Sequence, residues 1–64
     1  MDEKEKDLRE NIDRENKLLQ EYEQLQNDEK DPIKQMDIED NIEAISKKIA
    51  QYEKELESIF QAQS

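Results

Sequence analysis

In the second half of the chain, Ile38, Ile42, Ile45, Ile49, Tyr52, Leu56 and Ile59 follow one another at spacings of 4, 3, 4, 3, 4 and 3. That alternation is a heptad repeat. It places Ile42, Ile49 and Leu56 at a positions and Ile38, Ile45, Tyr52 and Ile59 at d positions, so one face of a helix carries an unbroken apolar seam. The intervening residues are mostly Glu, Gln, Lys, Asp and Ser. The pattern predicts a helix from about Pro32 to Ala62, opening at Asp31-Pro32, where Asp can accept hydrogen bonds from free amides and Pro fits the first helical position.

The first half repeats the theme with a wider stripe. Leu8, Ile12, Leu19 and Tyr22 share one line, Leu18 and Leu25 lie beside it, and Glu15 stands where the stripe calls for an apolar residue. Good helix formers fill about 3–26 without a Gly or Pro. Between Asn27 and Asp31 the apolar period lapses, polar turn formers gather, and the residue before Pro32 is pushed away from helical dihedrals. A connection this short joins antiparallel neighbours. The expected fold is therefore all-α: one domain over 1–64, a two-helix antiparallel hairpin of the coiled-coil kind with its turn at 27–31.

Folding the chain about that turn places residue i opposite roughly residue 60 minus i. Tyr22 then faces Ile38, Leu19 faces Ile42, Ile12 faces Ile49 and Leu8 faces Tyr52. Glu15 falls opposite Ile45, close to Lys48, and reaches the edge of the seam to pair with that lysine; alternatively it specifies register or partner, as single polar residues at core positions do.

Composition narrows what such a hairpin can do. Of 64 residues, 19 are Asp or Glu and 10 are Lys or Arg, 31% are hydrophobic, and Gly, Cys, Trp and His are absent. Low hydrophobicity with a net charge of −9 is also the signature of disorder, and the heptad register decides against that reading. Without Cys or His there is no thiolate nucleophile, disulfide, imidazole base or usual zinc site. Asp40 and Glu43 stand one turn apart, but carboxylate-bridged iron sites in bundles add a Glu-x-x-His pair that is missing here. Calcium loops need a glycine turn that the chain cannot supply. The cluster Asp37, Glu39, Asp40 and Glu43 reads as a solvated face near a helix N-terminus, where negative charge is favoured. Ser46, Ser58 and Ser64 have no activating base. No enzyme, cofactor, metal or small-molecule substrate is expected.

The acidic balance argues against nucleic-acid backbone and anionic membrane surfaces. Lys47-Lys48 is too small a basic patch for a nucleic-acid footprint, and Tyr22 and Tyr52 sit on the seams instead of among cations. There is no membrane-length apolar run and no signal-peptide core at the N-terminus, so a cytoplasmic protein is expected.

Surplus apolar surface points to association. Leu18 and Leu25 flank the first seam, Ile33 and Met36 lie near the turn, and Leu56, Ile59 and Phe60 are expected to face only the charged start of helix one, around Met1 to Glu5. A two-fold dimer packed as a four-helix bundle would cover these residues, as would docking on another helical protein. The ending Gln61-Ala62-Gln63-Ser64 suits a natural terminus and a cut from a longer protein equally. The competing reading is an acidic regulatory inhibitor or DNA mimic, its carboxylates supplied by Asp37 to Glu43 with Asp7, Glu10 and Asp13.

The run Leu18-Leu19-x-x-Tyr22, then Asp31-Pro32, then Ile38-Glu39-x-x-Ile42-x-x-Ile45-x-x-x-Ile49 resembles the helical hairpins next to effector domains in bacterial signalling and conflict proteins. These are the effector-associated modules of STAND-type NTPases and of caspase-like and TIR effectors. The resemblance covers about half of the chain and implies an adaptor that self-associates or recruits through like hairpins without catalysis of its own. In length and acidity the chain also resembles a plasmid RNA-binding four-helix dimer that modulates primer pairing. That family binds RNA through a basic and aromatic face, and neither helix here carries one.

Overall fold

The computed structural model describes residues 3–63, with side chains through 62, as two helices joined by a short turn. Helix α1 spans Glu3–Asp28 and α2 spans Pro32–Gln63. The protein is an all-α antiparallel helical hairpin, 49 Å long and 14 by 11 Å across. That length is what the 32 residues of α2 give at ~1.5 Å per residue.

The turn forms where the sequence places it, with a longer first helix. The Glu29 amide still donates to the Leu25 carbonyl at 2.9 Å, so the α-helical ladder of α1 runs past Gln26. Among the described residues only 29–31 are non-helical, against the expected turn of 27–31. Asp31 then caps α2: its Oδ1 accepts from the Ile33 amide at 3.0 Å, and its carbonyl accepts the first helical bond, from the Gln35 amide, at 2.9 Å. Pro32 occupies the first helical position, where no amide is needed. The Asp31 amide donates to Glu29 Oε1 at 3.1 Å, which closes the turn from within. Replacing Asp31 with Ala is expected to cost about 1 kcal/mol by thermal denaturation, the usual worth of such a cap.

Burial follows Glu5, Leu8, Ile12, Glu15, Leu19, Tyr22 and Gln26 along α1 and continues to Glu29 in the turn, with Asn11 half-buried beside that line, and along α2 it follows Gln35, Ile38, Ile42, Ile45, Ile49, Tyr52, Leu56 and Ile59. Both series step by three and four without interruption, and each extends the expected seam with polar residues at its ends. Leu8, Ile45 and Ile49 form the buried core, and the other seam residues are half-buried. The contact stays one line wide because two cylinders touch along a line.

Register departs from the expectation. Gln35 Nε2 donates to the Glu29 carbonyl, and Lys48 Nζ lies 3.3 Å from Glu15 Oε1. Both contacts join residues whose numbers add to about 64, one helical turn away from the expected 60. Leu19 therefore falls level with Ile45, Tyr22 with Ile42, Ile12 with Tyr52 and Leu8 with Leu56, while Glu15 falls level with Ile49. The physical reason is the repeat itself. Sliding one seam by a turn exchanges a for d partners and leaves apolar opposite apolar, so the heptads tolerate both arrangements.

Candidate interaction surface

The seam divides the surface into two flanks, because antiparallel helices bring their g positions together on one side and their e positions together on the other. Leu18 and Leu25 are g residues of α1, and Lys34, Asn41, Lys48 and Glu55 are g residues of α2. On this side Glu15, Leu18, Ala44, Ile45, Lys47, Lys48 and Gln51 line a shallow groove between the helices. Leu18 and Leu25 are exposed to 38% and 53%.

Glu15 is the polar break in the seam, and its position fixes what it does. The side chain is 13% exposed, and its carboxylate meets the 58% exposed Lys48 at the groove's edge. A half-buried carboxylate on an apolar seam needs such a partner, since the desolvated charge would otherwise be uncompensated. No buried side-chain nitrogen or oxygen among the described residues lacks a hydrogen-bond partner.

The opposite flank carries Arg9 at an e position of α1 and Phe60 at an e position of α2. The Arg9 guanidinium lies 5.6 Å from the Phe60 ring centroid, and Nη2 bonds Glu5 Oε1 at 3.1 Å. This overturns the expected apolar tip without a partner inside the hairpin. The shift in register brings α2's last turns alongside Leu8 and Arg9, so Leu56 and Ile59 complete the seam and are half-buried, while Phe60 lies beneath a cation at 45% exposure. Met1 and Asp2, named as part of that tip's surroundings, lie outside the described residues. Sequence reasoning missed Arg9 because an e-position arginine gains meaning only once its level on α2 is known.

Ile33 and Met36, exposed to 72% and 65%, occupy α2's first turns away from the groove that Leu18 lines. The acidic cluster is exposed, and Glu43 pairs with Lys47 at 3.3 Å, one turn further along the same helix. Among the described residues no group of three or more acidic, His or Cys side chains is arranged to hold a metal ion. No helix there is long and apolar enough to cross a membrane. Comparison with protein-family models, curated proteins and solved structures finds no match to this chain.

Proposed function

We propose that the hairpin is a non-catalytic protein–protein interaction and oligomerisation module, acting homotypically as a dimer or as a cytoplasmic adaptor that recruits an effector domain. One observation carries this reading. Leu18, Leu25, Ile33, Met36 and Phe60 are exposed, against three buried hydrophobic residues in the core. A chain with so few apolar residues has left five large ones off its seam and exposed, and apolar surface at a polar exterior is where partners bind. The marginal burial of one hairpin agrees with it, because a single line of contact returns little against the entropy of ordering the chain. The resemblance to effector-associated hairpins supports the adaptor form.

The test is sedimentation equilibrium with circular dichroism across a concentration series. Mass and helicity rising together with concentration are expected. A fully helical monomer at every concentration, indifferent to Leu18→Glu and Phe60→Glu, would overturn the homotypic form.

A second reading rests on the acidic flank of α2. Glu39, Glu43, Glu53 and Glu57 share the b and e positions between Met36 and Phe60, and no cation shares those positions. Such a row suits an inhibitor that occupies a basic site. Binding to a basic partner that weakens steeply with salt is its expected signature, and salt-indifferent binding would count against it.

A further inference from the structure

The two flanks of the hairpin differ in charge, and that difference selects a partner for one of them. On the acidic flank the b and e positions hold Asp13, Glu23, Glu39, Glu43, Glu53 and Glu57 against Lys6, Arg9 and Lys30, all three cations on the α1 side, so a two-fold contact would set the glutamates of α2 against those of its copy. The Leu18 flank is nearly balanced: Lys4, Arg14, Lys34 and Lys48 stand at its c and g positions with Asp7, Glu21, Asp28, Asp37 and Glu55. It also holds the groove. Resting on the interaction-module reading, we infer that the occupant of this flank is a second copy of the chain, docked by a two-fold axis that sets Leu18 of one protomer against Leu25 of the other.

The register within the hairpin makes the consequence specific. Antiparallel packing of α1 on its copy with Leu18 opposite Leu25 centres the axis near Glu21 and Tyr22. On α2 the same axis falls near Ile42, which brings Lys48 level with Asp37 and Ala44 level with Asn41 of the other protomer. On α1 it brings Arg14 level with Asp28. Each relation occurs twice by symmetry, so one displacement covers both exposed leucines and aligns four opposite-charge pairs. Small Ala44 beside Asn41 lets the second helices approach. Glu21 is the one charged residue of this flank brought near its own copy, on the solvated rim where water screens the repulsion.

This dimer is staggered: it joins the turn halves of two hairpins and leaves the Arg9–Phe60 ends outside. That differs from a fully overlapped bundle, whose axis would sit near Asn16 and Lys48. It would place each Lys48 against its copy and Leu18 against Arg14.

The chain has no cysteine, so single replacements give a clean test. Leu18→Cys and Leu25→Cys are prepared separately and oxidised alone and as a mixture. The staggered dimer predicts rapid covalent heterodimer in the mixture and little in either alone, because like positions sit too far apart for a disulfide. Leu18→Glu is expected to weaken self-association at least about 100-fold, since two buried leucines become charges, while Phe60→Glu leaves it within about threefold. Circular dichroism of each variant at high concentration separates lost docking from lost folding.

A dimer that cross-links through Leu18→Cys alone, or that Phe60→Glu dissolves, would overturn this geometry while keeping the homotypic module. A chain monomeric throughout would overturn the homotypic reading as well.

Discussion

Ile49→Ala is expected to unfold most of the hairpin at micromolar concentration. Ile49 is one of three buried residues in the core, 7% exposed, and lies level with the one seam position that is not apolar, Glu15. Removing its side chain beyond Cβ forfeits transfer energy and leaves a gap that two rod-like helices can close only by losing contact elsewhere. Truncations of this kind typically cost about 2–4 kcal/mol, a large share of the stability available to so small a domain. Ile33→Ala, at a position 72% exposed, is the matched control and is expected to change stability by no more than about 0.5 kcal/mol. Thermal and urea melts at fixed concentration check both. Equal losses from the two would mean that Ile33 is covered by a partner.

Glu15→Leu is expected to raise stability by about 1–2 kcal/mol and to make the fold less unique. Replacing a half-buried ion pair by an apolar side chain is often neutral or stabilising, because the desolvation of the charges disappears. The Glu15–Lys48 contact also fits one register better than the other. In the arrangement slid by a turn, Lys48 would stand level with Ile12 and reach the carboxylate only by extending along the helix. With leucine at this position both registers present apolar seams throughout, and the variant is expected to show a higher melting temperature together with broadened or doubled NMR resonances. Lys48→Met strands the carboxylate, and its expected cost is about 1–2 kcal/mol, reduced from that of a buried pair because Lys48 is more than half exposed. A Glu15→Leu/Lys48→Met double variant should recover more than the sum of the separate changes. Strict additivity would show that the two side chains do not act as a pair.

The acid-rich composition that first suggests disorder turns out to be an exterior. Of the seam positions among the described residues, only Glu5, Glu15 and, in the turn, Glu29 are charged, and each carboxylate has a partner in Arg9, Lys48 or the Asp31 amide. The surface that invites a partner was partly legible too. Leu18, Leu25, Ile33, Met36 and Phe60 stand off the apolar stripes in the sequence and are exposed in the structure. Leu56 and Ile59 join that group only in a register of 60 minus i, which leaves them unopposed; in the structure both are half-buried. They belong to the seam.

Heptad spacing, the Asp31-Pro32 cap and the absence of glycine within either half determine, from sequence alone, that this chain makes two helices, where the second begins, and which stripe of each faces the other. These are local properties, set by side-chain periodicity and by the backbone's demand for a capped first turn. Register is a different kind of quantity. A seam repeating every three and four residues is nearly indifferent to a slide of one turn, so the choice passes to contacts between residues far apart in the chain: Gln35 on the Glu29 carbonyl, Lys48 on Glu15, Arg9 over Phe60. The Glu15–Lys48 pair can be read from the sequence, but the level at which it forms and the other two contacts are decided by the tertiary structure. With them it decides that Leu56 and Ile59 are covered from within, and that the exposed leucines of α1 lie on a flank nearly balanced in charge.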